Sequence, residues 1–396
     1  MEIKVGIKTA GEPILREEGD FTVLENMLIG DGFHWEKTIR VILSGKVELL
    51  KPKKEGNRVS GEGRDKTYGE DNKNAEPEDK VSLINTLPVE TYLECVVGSE
   101  MNPSAPIEFL KAHAVISRSW VLGKILNLHH CGPEGQLNTE DCLIGWDDTG
   151  SHRGFHVCSD DHCQRYQGLQ EVHPTSLQAI KSTANELLIS EKGNIIDARF
   201  SKCCGGVTEL FSTCWQPIEI DCIKSIKDPW CDLSDLSPRS RKLLLSSVLK
   251  DYDLSTSGYG YRWETEITKA EIESNLREKF GRNIGKLLKV IPLHHGPSRR
   301  IDLLRLEGTE SSLVIGKELW IRRLLSDNHL YSSAFDIEDL GDKLKLSGRG
   351  WGHGVGLCQI GAANMASKGA TYEEILAFYY PGSRLTKNPK FPLSVV

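Results

Sequence analysis

"LPVETYLECVVGSEMNPSAPIEFLKAHAVISRSWVL", residues 87–122, reads as two helices separated by a short break. Pro88 suits a first helical turn. Val89, Tyr92, Leu93, Val96 and Val97 recur at three- and four-residue spacing and form one apolar stripe. Continuing that stripe lands on Glu100. Ile107, Leu110, Ala114, Val121 and Ile125 form a second stripe, and Arg118 falls within it. Each helix therefore places a charged group on an otherwise apolar face. A carboxyl there must be paired or protonated, because burying a lone charge is costly. Desolvation raises the pKa of a Glu, which suits a general acid near neutral pH. The plainer alternatives for Glu100 are a structural ion pair with Arg118 or a solvated helix end.

Outward from this helix pair, the chain alternates strands and helices. "IKVGIK" and "TIRVILSGKVELL" read as strands in residues 1–50. Residues 51–80 carry eight basic and eight acidic side chains and almost nothing apolar, so a solvated loop is expected. Strands are expected at "NELLIS", "IIDARFS", "YRWETEI", "RIDLLRL", "SLVIG" and "KLKLSG". Helices are expected at "SPRSRKLLLSSVLKDY", at "KAEIESNLREKFG", and from about 355 to 368, where Gly369 stops the helix. Thr371 and Glu374 make a capping box for a last helix ending near Tyr380. The fold class is α+β: mixed helices and strands around a cleft, with a β-rich N-terminal part and an inserted α/β segment. Four parts are expected. Residues 1–80 are β-rich, 81–200 carry the helix pair and a Cys/His loop, 201–340 are Cys-rich and mixed, and 341–396 pack back on 81–200.

The 396 residues carry a net charge of −7, which gives no reason to expect nucleic acid as a partner. No apolar run reaches membrane-span length. The start, "MEIKVGIKTAG", lacks the basic and apolar regions of an export signal. Eleven cysteines, most of them clustered, argue for metal, disulfides or both. The odd number leaves at least one without an intramolecular disulfide partner.

"SHRGFHVCSDDHCQRYQG" puts His152, His156, Cys158, His162 and Cys163 close together. Mixed Cys/His sets suit tetrahedral zinc. A Cys158–Cys163 disulfide with exposed histidines is the alternative. "FSKCCGGVTELFSTCW" has adjacent Cys203 and Cys204, whose mutual disulfide would be strained. Partners among Cys214, Cys222 and Cys231 are more plausible, in a structural role. Cys131 and Cys142 flank a loop and could pair as well.

"GRGWGHGVGLCQIGA", residues 348–362, matches neither GxxxxGK[ST] nor GxGxxG, so nucleotide binding is not indicated. Its glycines allow close backbone approach and unusual dihedrals. Trp351 offers a flat apolar face suited to a sugar ring, and His353 and Gln359 offer polar contacts. A glycine-rich turn packed beneath a sheet is the alternative. Cys358 lies near His353 and near a helix start that would lower a thiol pKa, so a thiol hydrolase is a further reading.

Several segments together resemble the stage II sporulation protein D and amidase-enhancer family. The helix-pair stretch resembles its first signature, "FSKCCGGVTE" its Gly-Gly segment, and "GRGWGHGVGLCQIGAANMASKGATYEEILAFYYPGSRL" its last signature. They span about 81 to 385, in family order. The resemblance implies a lytic transglycosylase acting on peptidoglycan glycan strands, with Glu100 as the catalytic acid. It carries the family's Arg and Gln onto Arg118 and Gln359, and Cys358 stands where the family usually has Ser; Trp351 and His353 join them as substrate-binding candidates on their own chemistry. It also implies one zinc in a structural role; His152, Cys158, His162 and Cys163 match best, with His156 competing for the first position.

The chemistry fits a single acid. A lytic transglycosylase needs no activated water, unlike ordinary glycosidases with their two carboxylates. One Glu protonates the glycosidic oxygen, then takes a proton from the muramic C6 hydroxyl as that oxygen attacks the anomeric carbon, leaving a 1,6-anhydro ring. The alternative is a non-catalytic wall-binding amidase enhancer, whose partner would be a wall amidase. Either role requires an extracytoplasmic location (periplasm or cell envelope), so an export signal absent from this chain is expected.

Overall fold

The computed structural model describes residues 1–30, 36–50, 81–126, 136–146, 152, 154–250, 260–327 and 330–387. The charged stretch 51–80 and Cys131 lie outside the described residues. Among those described there are nineteen strands in several small sheets and nine α-helices, a mixed α+β fold.

The N-terminal strands are β1 (Glu2–Lys8), β2 (Leu15–Glu18), β3 (Phe21–Ile29), β4 (Lys37–Ser44), β5 (Lys46–Leu49) and β6 (Val81–Pro88). β2, β3 and β4 form an antiparallel sheet, and β5, β6 and β1 form another. Alternation buries Ile3, Val5 and Ile7 of β1 and Leu83 and Leu87 of β6. β6 runs directly into α1 (Val89–Glu100), and α2 (Ile107–Ile125) follows. Ile3, Val5 and Leu83 share one core with Tyr92, Val96, Phe109 and Val115. The N-terminal strands are thus the floor of the helix pair. α2 is buried almost all round, the mark of a central helix.

Short β7 (Gln136–Asn138) and β8 (Cys142–Gly145) come next, and β9 (Val157–Cys158) pairs parallel to β1. Then come α3 (Pro174–Ser182), β10 (Glu186–Ser190), β11 (Phe200–Ser201), α4 (Phe211–Cys214) and α5 (Pro238–Val248). The "IIDARFS" stretch is a strand only at its end, over β11.

Residues 260–349 build a second core. It contains β12 (Arg262–Thr268), α6 (Lys269–Phe280), β13 (Leu287–His295), β14 (Ile301–Gly308) and β15 (Ser312–Gly316). α7 (Glu318–Leu324), β16 (Phe335–Asp339) and β17 (Lys343–Arg349) complete it. Ile272, Leu304, Ile315, Ile321 and Leu346 pack together there. β8 joins this unit by pairing parallel with β15, and Leu143 enters its core.

The chain then returns to the first core through β18 (Leu357–Cys358), α8 (Gln359–Ser367), α9 (Tyr372–Tyr379) and β19 (Ser383–Lys387). β18 pairs parallel with β11, and β19 antiparallel with β10. The expected helix from about 355 therefore starts later, at Gln359. Residues 357–358 are drawn into the strand pair, and the Cys358 sulfur caps the helix by accepting from Gly361 N–H. The Thr371–Glu374 capping box forms as expected.

Candidate active site and metal centres

Glu100 is the last residue of α1 and is 6 % exposed. Its Oε1 accepts the backbone N–H of Arg165 at 3.0 Å. One residue earlier, Ser99 Oγ accepts the Gln167 N–H at 3.0 Å and donates to Cys95 O at 2.7 Å. Tyr92 donates to Gln164 Oε1 at 3.1 Å and stacks on Tyr166 with centroids 5.7 Å apart. The segment 164–167 is thereby laced along the end of α1, and it fixes the Glu100 carboxyl.

Burial pushes the Glu100 pKa up from the ordinary carboxylate range. The Arg165 and Lys202 cations work against that shift, and the Asp161 carboxylate adds to it. Asp161 is itself held by the Arg165 guanidinium, Nη2 to Oδ2 at 2.9 Å. Lys202 follows β11, and its carbonyl accepts the Ile360 N–H at 3.2 Å, which ties it to the start of α8. The end of α1 thus meets the 161–165 segment and feels the charge of the residue that follows β11, which is itself tied to the start of α8. Lys202, Arg165 and Asp161 were not singled out from sequence. Lys202 sits inside the quoted Gly-Gly segment, but nothing local there signals its approach to Glu100.

Arg118 is not brought to Glu100. Its Nε and Nη2 bond both oxygens of Glu90, at 2.8 and 2.9 Å. Its Nη1 donates to Thr183 O at 3.0 Å and to Glu186 O at 3.4 Å. Glu90 stands ten residues before Glu100 on α1, about 15 Å along the axis. The polar partner that the stripe position demanded exists, at the other end of the helix. With its donors spent on the protein and 1 % exposed, Arg118 is a clamp between α2, α3 and β10 rather than a substrate contact.

The glycine stretch is wound around another guanidinium. Arg300, fully buried, donates through Nε and Nη2 to Gly352 O at 3.1 and 2.8 Å and through Nη1 to Cys204 O at 3.3 Å. A Cβ on Gly354 would lie 2.5 Å from Arg300 Cζ, and its φ of +75° already favours glycine. Much of the glycine content therefore serves internal packing. Trp351 is half-buried, edge-on to Tyr331 at 5.4 Å, and its backbone pairs with Cys203. His353 accepts the Val355 N–H on Nδ1 at 3.0 Å and packs against Trp215. Burial, with the Arg199, Arg300 and Arg322 cations behind it, pushes its pKa down to about 3. Gln359 is buried at the first turn of α8.

Cys358 is fully buried, and its sulfur accepts the Cys204 N–H at 3.3 Å and the Gly361 N–H at 3.5 Å. It faces a cysteine cluster. That placement takes it away from a substrate contact and from the His353 ring, which is engaged with Val355 and Trp215. The expected thiol–histidine arrangement is not what the fold builds.

The Cys/His loop does gather. His152, Cys158, His162 and Cys163 present ligand atoms all within 4.8 Å of one another. His152 Nε2 lies 3.2 Å from Cys163 Sγ, and His162 Nδ1 lies 3.8 Å from both Cys158 Sγ and Cys163 Sγ. A tetrahedral zinc with bonds of about 2.0–2.3 Å separates its ligands by about 3.3–3.8 Å. His152 Nδ1 is buried without a partner. His156 is drawn off by the backbone: its Nδ1 accepts the Lys4 N–H at 2.9 Å. A second group, Cys204, Asp228, Cys231 and Cys358, is equally compact and fully buried. The ten described cysteines are all unbonded to one another, Cys142 among them.

Residues 77–189 match the family model described as Stage II sporulation protein, and residues 209–356 match a domain of unknown function. The chain is 25% identical over 311 residues to Stage II sporulation protein D of Bacillus subtilis (strain 168), covering 78% of this chain and 77% of that protein. It is 26% identical over 304 residues to an uncharacterized protein of Brachyspira hyodysenteriae, covering 77% and 68%. A stretch of 66 residues is 38% identical to the Amidase enhancer of Bacillus subtilis, covering 17% of this chain and 9% of that protein. The family resemblance read from the helix pair and the glycine stretch therefore stands: this chain matches the Stage II sporulation protein model in residues 77–189 and is similar to Stage II sporulation protein D over most of its length.

Proposed function

We propose that this protein works on the bacterial cell wall as a lytic transglycosylase, cleaving MurNAc–GlcNAc bonds of peptidoglycan glycan with formation of 1,6-anhydro ends. The observation that carries the reading is Glu100, a desolvated carboxyl of raised pKa, oriented by a backbone N–H and set among the charges of Arg165, Asp161 and Lys202. Protonated, it donates to the glycosidic oxygen. As carboxylate, it takes the proton from the C6 hydroxyl while that oxygen attacks the anomeric carbon. The Asp161 carboxylate beside it is neutralised by Arg165 and so does not act as a second base. Trp351 is the half-buried aromatic face for a sugar ring, and Gln359 a polar contact. Such a protein acts outside the cytoplasmic membrane; no helix among the described residues is long and apolar enough to cross one.

Zinc at His152, Cys158, His162 and Cys163 belongs to this proposal. Four ligands close the shell, so the ion would brace the 152–167 loop and leave the chemistry to Glu100. The similarity to an Amidase enhancer supports a second reading, a binder that stimulates a wall amidase. One experiment separates the two: incubate the purified chain with wall glycan, intact and stripped of stem peptides, and weigh the products. Anhydro ends, one water lighter than reducing ends, are expected. Reducing ends sink the lytic mechanism, and no cleavage of either substrate favours the binder.

A further inference from the structure

We propose a second metal site, a closed zinc site made by Cys204, Cys231, Cys358 and Asp228. Their donor atoms lie within 4.8 Å of one another, and all four side chains are at most 1 % exposed. They come from three separate pieces of chain: the Gly-Gly loop, the turn at 228–231 and the start of α8. Cys204 Sγ is 3.2 Å from Asp228 Oδ2 and 3.4 Å from Cys231 Sγ. A tetrahedral zinc with Zn–S bonds of about 2.3 Å sets its sulfurs about 3.8 Å apart and a carboxylate oxygen slightly closer. A disulfide would need sulfurs at about 2.05 Å, so the cluster is gathered around a point rather than along a bond.

The surroundings are those of bound anions. Backbone N–H groups point at the sulfurs, Gly206 at Cys204 (3.4 Å) and both Cys204 and Gly361 at Cys358 (3.3 and 3.5 Å). Asp228 receives the Trp230 N–H on Oδ1 at 2.9 Å and the buried Tyr379 hydroxyl on Oδ2 at 3.0 Å. Such contacts orient ligands and hold their charge. Thiolate-rich donors favour zinc over hard cations. Cys203, also buried, faces Cys231 and Cys358 but stands outside the four-membered set. A metal here would staple the 204 loop and the 228–231 turn to the first turn of α8, which carries Gln359. It is separate in sequence from the His152 loop, and its failure is distinguishable from failure of the catalytic reading.

The test is metal content of the full chain, purified under reducing conditions without added metal. The wild type is expected to hold about two zinc ions, and a His152→Ala/Cys163→Ser variant about one. Adding Cys231→Ser to that variant should remove the remaining zinc. If that protein does not fold, the His152→Ala/Cys163→Ser chain is loaded with cobalt instead. Its thiolate-to-cobalt absorption should correspond to three Co–S bonds. Less than about one metal ion in the double variant, a mapped Cys204–Cys231 disulfide, or bound iron with sulfide overturns the proposal.

Discussion

Glu100 carries the most exposed claim at the scale of single residues. Glu100→Gln keeps the size and the acceptor for the Arg165 N–H but removes the proton that matters. Glycan cleavage should fall by about 10²–10⁴-fold, the usual worth of a general acid, with unchanged circular dichroism. Near wild-type release of anhydro products by the variant rejects the assignment. The wild-type rate should also fall as pH rises through the Glu100 pKa, since the acid must be protonated and burial has moved that point upward. Glu100 was legible because a stripe of apolar positions runs into it. Arg118 was legible as a buried cation in want of a partner, but helical periodicity gives a face and not a neighbour. Whether Glu90 or Glu100 would meet it depends on how α1 and α2 cross. Lys202 was not legible at all, since its place beside Glu100 is set by the β11–β18 pairing of distant segments.

Among the elements, the clamp and the glycine winding make opposite kinds of demand. Arg118→Met should destabilise by about 1–3 kcal/mol in denaturant unfolding, because the Thr183 and Glu186 carbonyls lose their donor. The figure stays modest because Glu90 is 45 % exposed and can return to water. A variant as stable as wild type would show the clamp idle. Gly354→Ala meets both a left-handed φ of +75° and the Arg300 guanidinium, whereas Gly369→Ala meets φ of +96° in open space. The first should therefore cost about 1–3 kcal/mol more than the second, the price of overpacking. Equal losses would mean that Arg300 yields to the methyl. The cap at Thr371, the helix pair and the Cys/His loop were readable because their signals are local. Among the strands that were not read, β8 carries a cysteine in a four-residue run and β13 and β16 are largely exposed, while β3 and β6, better buried, were passed over as well.

Across the whole molecule, the first core is assembled from both ends of the chain, and the 260–349 unit stands as an insertion with a core of its own. Composition does not mark that division, because both parts use the same apolar residues. The first core also hides a titratable group with a measurable consequence. His113 of α2 is fully buried, touching Ser117 Oγ at 3.3 Å and the Phe200 ring, with Nε2 left unpartnered. Burial, aided by the Lys202 cation, pushes its pKa from 6.5 down to about 3. An unfolded chain takes up a proton there below pH 6.5 and the folded one does not until about pH 3. The stability this neutral histidine allows is present above pH 6.5 and drains away as pH falls toward 3. His113→Gln removes the titration while keeping a neutral polar group. The stability difference between variant and wild type, followed by urea unfolding from pH 7.5 down to pH 4.5, should therefore shift steadily in the variant's favour below pH 6.5. Its slope should approach about 1.4 kcal/mol per pH unit. Because both proteins keep the same candidate metal ligands, acid release of any bound ion cancels in the comparison. A difference that stays flat across the range would mean that His113 becomes protonated inside the fold, with water or a rearranged Ser117 reaching Nε2.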